Sequence, residues 1–97
     1  METTVKKIFV LSKDTVCGST GIAASEDRQK LHIVMKKEIA NYLADKFGDR
    51  NSEENIKDES VQEIFRSFDS ISPEQNSWTD GDFEFPVLFA IESVEII

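Results

Sequence analysis

Between Thr3 and Ser12 the chain alternates, with Val5, Lys7, Phe9 and Leu11 on one side and Lys6, Ile8 and Val10 on the other. A period of two belongs to a strand, and apolar residues on both sides of Phe9 predict that its middle is covered on both faces. From Ser12 to Ala24 the chain carries Lys13, Asp14, Gly18, Ser19, Thr20 and Gly21, a loop composition with room for a short hairpin return around Thr15 to Cys17. The period then changes. Leu31, Met35, Ile39, Leu43 and Phe47 recur every four residues with Tyr42 alongside, which predicts one helix of about six turns with a continuous apolar stripe. Ser25 is the candidate N-cap, followed by Glu26 and Asp27 to complement the helix dipole, and Gly48 is the natural stop. Lys30, Lys36, Lys37, Glu38 and Lys46 fall mostly off the stripe and are expected in solvent.

The pattern beyond Gly48 is shorter in stride. Asp49 to Asp58 is polar apart from Ile56 and reads as a loop or a single helical turn capped by Ser52. Val61, Ile64, Phe65 and Phe68 then take the i, i+3, i+4, i+7 positions of a second amphipathic helix, capped by Asp58 or Ser60 and closed before Pro73. Trp78 to Asp82 reads as a hairpin with Asp80 and Gly81 as its two-residue turn. From Phe83 the alternation returns, with Phe83, Phe85, Val87, Phe89 and Ile91 on one side, interrupted by Pro86, which marks an edge or bulge. Val94, Ile96 and Ile97 allow the strand to run on or bend back. These elements predict an α+β fold: a small antiparallel sheet from the first and last segments, covered by one long and one shorter amphipathic helix, with Phe9, Phe85 and Phe89 as its apolar face.

Length and composition predict one compact acidic domain over residues 1–97, and the charges add an asymmetry. A chain of 97 residues buries roughly 60–65% of the surface its unfolded form exposes, enough for a single core. Residues 1–48 carry eight Lys/Arg and six Asp/Glu, net +2, whereas residues 49–97 carry three and thirteen, net −10; the whole chain stands at −8. Such a charge repels nucleic acid and anionic lipid, so attractive partners are basic, and it favours a monomer. No apolar run reaches the ~20 residues of a membrane span. Met1 to Lys7 lacks the apolar core of a signal peptide, and a lone Cys17 fits a reducing interior, so a cytoplasmic location is expected.

Candidate chemistry is sparse. Cys17-Gly18-Ser19-Thr20-Gly21 has no Lys beside its second glycine for a phosphate loop and no Arg six positions on for a phosphatase cysteine, so it is read as a connector with Cys17 half-buried and unreactive. His32, between Leu31 and Ile33, is read as a helix-flank residue, and Met35 as packing. Asp80, Asp82 and Glu84 lack the glycine and the bidentate glutamate spacing of a calcium loop and are read as a solvated acidic hairpin. No His stands beside a nucleophile, and the acid pairs have no apolar setting to separate their pKa values. Neither an enzyme nor a cofactor is expected.

What the pattern supports is a binding surface. On the second helix Glu59 and Glu63 lie one turn apart, about 6 Å along the axis, near the spacing of successive phosphates. With Glu53, Glu54, Asp58, Asp80, Asp82 and Glu84 they are expected to form one outward patch, and Trp78 to supply an apolar anchor. In size, acidity and α+β arrangement, across the whole chain, the protein resembles phage-encoded anti-CRISPR proteins of the DNA-mimic kind, type I-F. The resemblance has no diagnostic motif. It implies an inhibitor that occupies the target-DNA site of the crRNA-guided surveillance complex, a basic ribonucleoprotein, with those eight carboxylates as the contacting residues. The basic first half departs from an all-round mimic. Two other readings stand beside it: a small adaptor binding through Trp78, Phe83 and an edge strand, and a domain whose charge serves only solubility.

Overall fold

The structure, a computed structural model, describes residues 6–96. A four-stranded antiparallel sheet in the order β2-β1-β4-β3 is formed by β1 (Lys6–Thr15), β2 (Gly18–Ser25), β3 (Ser77–Thr79) and β4 (Leu88–Ile96). Between β2 and β3 the chain runs through α1 (Arg28–Phe47), α2 (Glu53–Lys57) and α3 (Glu59–Asp69). The α+β architecture expected from the periodicities is the one observed. At about 3.4 Å per strand residue and 1.5 Å per helix residue, β4 and α1 both run about 30 Å, so the long helix spans the central strand it covers.

Pairing of β1 with β4 joins the two ends of the chain at the sheet centre, with Leu11 opposite Ile91 and Lys13 opposite Phe89. Leu11, Phe89 and Ile91 face the helices and meet Leu31, Met35, Ile39 and Leu43 of α1 and Val61 and Phe65 of α3. The rings of Tyr42 and Trp78 flank Phe89 at centroid distances of 6.0 and 6.4 Å. Phe47 leans on Phe65 at 6.0 Å, tying α1 to α3. The caps hold as the residue types require. Ser52 accepts the Asn55 amide, Asp58 accepts those of Ser60 and Val61, and Gly48 closes α1 at φ +74°, donating to the Ala44 carbonyl.

Several expectations are corrected. The alternation at Thr3 to Val5 and the strand end at Ile97 lie outside the described residues. β1 is covered on one face only: Leu11 is fully buried, while Ile8 and Val10 share the opposite face with the exposed Leu88, Val94 and Ile96. The stretch from Ser12 to Ala24 is mostly ladder; β1 continues to Thr15, turns at Val16 and Cys17, and returns as β2. Small and polar residues suffice there because β2 is an edge strand with one wet face. Cys17 is exposed. The cap of α1 is Asp27, which accepts the Gln29 amide at 2.9 Å, and Ser25 instead accepts the amide of Asp27. His32 is buried, its Nε2 2.9 Å from the Ser72 carbonyl, so it fastens α1 to the segment after α3.

The largest correction concerns residues 80–87. Thr79 pairs with Leu88, so Asp80 and Gly81 are not a two-residue turn but the start of an eight-residue connection. Phe83 and Phe85 leave the sheet, at 99% and 65% exposure, and Phe85 contributes nothing to the apolar face. The cause is local competition for amides. Asp80 accepts those of Asp82 and Val87, Asp82 accepts those of Glu84 and Phe85, Thr79 Oγ1 accepts that of Gly81, and Pro86 has none to give, so most donors of this stretch go to side chains rather than to a ladder.

Candidate functional site

The acidic residues divide into those spent on the fold and those left to solvent. Asp80 is the most committed, only 8% exposed. One carboxylate oxygen accepts the Asp82 and Val87 amides at 3.1 and 3.2 Å; the other accepts Tyr42 Oη–H at 2.5 Å and Lys46 Nζ at 3.3 Å. Lys46 also reaches Asp82 at 3.1 Å, so one ammonium from α1 is shared by both loop carboxylates. Lys46 is thus engaged rather than simply solvated, and Asp80 is a buried strut rather than part of a wet hairpin. Trp78, expected as an exposed anchor, is 4% exposed and donates its indole N–H to Ser67 Oγ at 3.0 Å. It belongs to the core. The apolar residues offered to solvent are Phe83 and Phe85, which the alternation had assigned to the sheet.

All three bases of the acidic half are taken up by neighbours: Arg50 by Asp69, Lys57 by Glu53, and Arg66 by Glu59. Asp58 caps α3. Among the described residues of this half, Asp49, Glu54, Glu63, Glu74, Glu84, Glu92 and Glu95 are exposed and carry no ion pair. The expected uniform patch of eight free carboxylates is therefore a mixture, in which Asp80 is internal and Glu53, Glu59 and Asp82 each face a cation.

What the fold brings together is Glu63 of α3 with Asp80 and Asp82 of the connection, around an open cleft of about 500 Å³ that Lys46 and Phe47 of α1 also line. Glu53 and Glu54 sit apart on α2, and Glu84 lies beyond the cleft lining. The sequence named these three acids but not their grouping, because α3 and the connection are over ten residues apart and come together only in the folded chain.

Electrostatics hold the connection in place. Burial alone would raise the Asp80 carboxyl pKa, but bonds from Tyr42, two amides and Lys46 outweigh it and leave it below the usual carboxylate range. Asp82 is lowered by the Phe85 amide first and then Lys46, Asp69 by Arg50, and Asp58 by the Ser60 hydroxyl and the Val61 amide. A carboxyl whose pKa is lower folded than unfolded contributes stability above its unfolded value of about 4 and loses it as pH falls through the folded value. Urea melts are therefore expected to give equal stability at pH 7 and 5 and a marked loss by pH 3; undiminished stability at pH 3 would show that these bonds carry no net weight.

No family model, curated protein or solved structure matches this chain. On its own geometry it is a small α+β protein with helices on one side of a four-stranded sheet and an acidic cleft between α3 and the loop preceding β4. Among the described residues no group of three or more His, Cys, Asp or Glu could hold a metal, and no helix is long and apolar enough to cross a membrane.

Proposed function

We propose that the protein is a non-enzymatic inhibitor that sets carboxylates where a basic nucleic-acid-binding protein expects phosphates, and so occupies that protein's DNA site. The observation that carries this reading is the segregation of charge: residues 49–97 hold a net −10, and their three bases are all consumed by local pairs. Glu54, Glu63 and Glu84 are left for an incoming Lys or Arg, with Glu59 one turn from Glu63 on the same helix. The resemblance in size and acidity makes the type I-F CRISPR surveillance complex the proposed partner, with action in the cytoplasm of the host cell.

Association with that complex is then steered by charge and screened by salt. Reversing Glu54, Glu63 and Glu84 together to Lys is expected to slow association at least about tenfold at low salt, and raising the salt to weaken the unaltered protein. Surface plasmon resonance at several ionic strengths checks both. Insensitivity to salt and to charge reversal would remove the reading.

A second reading, a small adaptor, is favoured by one observation: Phe83 and Phe85, two positions apart in the connection, are both exposed. Under it, replacing both by Ala abolishes binding while the charge reversals leave it intact.

A further inference from the structure

The cleft between α3 and the connection is more than a group of acids. Its lining includes the apolar Phe47, Val61 and Ile64, with Glu63 contributed by α3 and Asp82 by the connection. The cleft is open to solvent, and its volume of about 500 Å³ has room for one side chain. The charge of the opening is decided by Lys46. Its ammonium is held by Tyr42, Asp80 and Asp82, which leaves three carboxylates against one cation among the lining residues. Glu63 has no ion pair among the described residues.

Three features select the occupant. An anion is repelled by the net charge of the lining. A purely apolar side chain would desolvate the Glu63 carboxylate without giving it a donor, whereas Asp82 already accepts from Lys46 and from the Glu84 and Phe85 amides. A cation on an aliphatic stem meets both demands. Between the two such side chains, the guanidinium is the more weakly hydrated, and it presents a planar fork that can bind one carboxylate through two parallel N–H bonds and still turn a free edge to a second; an ammonium is a compact and strongly hydrated point charge.

We infer that this cleft receives one arginine side chain of a protein partner, with Glu63 taking the fork of the guanidinium, Asp82 its free edge, and Val61 and Ile64 the stem. This rests on the reading that the partner is basic, and it deepens it by separating one specific contact from the diffuse attraction of the remaining carboxylates.

The probe is tetra-arginine, titrated at low salt into the ¹⁵N-labelled full chain, with tetra-lysine and tetra-glutamate in parallel. Shifts are expected to concentrate at Glu63, Ile64, Gly81 and Asp82, with tetra-arginine binding several-fold more tightly than tetra-lysine. Glu63→Gln is expected to weaken tetra-arginine about tenfold. Ser60→Phe leaves the charge unchanged but places a ring in the cleft from the exposed first turn of α3, and is expected to weaken it comparably. The ¹⁵N spectrum of each variant reports whether it is folded. If both folded variants bind tetra-arginine as the parent does, or if the parent's shifts are spread over α1 and α2, the assignment of the cleft is overturned while attraction to a polycation stands. If the parent binds neither cationic peptide, the assignment and the basic-partner reading fall together.

Discussion

Asp80→Asn is expected to lower stability by about 3 kcal/mol, near the low end of the cost of removing one partner from a buried ion pair. The carboxylate satisfies four donors at once: Tyr42 Oη–H, Lys46 Nζ and the amides of Asp82 and Val87. A carboxamide has one acceptor oxygen and a donor group where the other oxygen stood, so either the phenol and ammonium or the two amides lose their acceptor. Lys46 keeps Asp82 and is partly exposed, which holds the cost below the upper end. For a domain of this size the melting temperature should fall by about 15 °C. Asp82→Asn, whose loop amides water can reach, should cost clearly less. Equal melting temperatures for the two variants, read by far-ultraviolet circular dichroism, would show that Asp80 is not the strut of the connection.

Trp78→Ala should be as damaging, at about 3–5 kcal/mol, the usual cost of removing a large aromatic from a core. The indole packs against Phe89, which in turn meets Tyr42, and its N–H is satisfied by Ser67 Oγ. Any loss of binding in this variant would report loss of the fold rather than of a contact. Phe83→Ala is the control, since that ring is 99% exposed and its removal should leave thermal stability within about 0.5 kcal/mol. If Trp78→Ala melted like the parent, the core as described would be wrong.

Helices were the most legible part of the sequence. The stripes Leu31 to Phe47 and Val61 to Phe68 are driven by burial on one face, and the stop of the first at Gly48 and the start of the second at the Asp58 cap are local chemistry. The sheet was half legible. Its central strands show in Phe9, Leu11, Phe89 and Ile91, but β2 is an edge strand of Gly, Ser, Thr and Ala with Ile22 as its one large apolar residue, too few to show a period. The connection misled for a different reason. Phe83 and Phe85 keep strand spacing from Phe89, yet two aspartates upstream capture the amides that a ladder would use. Side-chain competition for backbone donors has no periodicity, so alternation alone could not reveal it.

The candidate site was legible as composition and not as geometry. Counting charges singled out Glu63, Asp80 and Asp82 correctly as acids of the second half, but their roles depend on Lys46, a base of the first half that crosses to them. Counting also overstated the free charge, since Arg50, Lys57 and Arg66 each neutralise a nearby carboxylate. What remains unpaired is smaller than the sequence suggested and is divided among the loop before α2, α2, α3, the connection, the segment before β3 and the far end of β4.

Polyanion imitation is tested most directly by competition. Labelled target DNA bound to the crRNA-guided type I-F surveillance complex is followed by fluorescence anisotropy while the protein is added at low and at high salt. The account predicts that DNA is released in proportion to added protein, that more protein is needed as salt rises, and that the chain with Glu54, Glu63 and Glu84 reversed to Lys releases little. DNA that stays bound at saturating protein, or is released equally by the reversed chain, would contradict it.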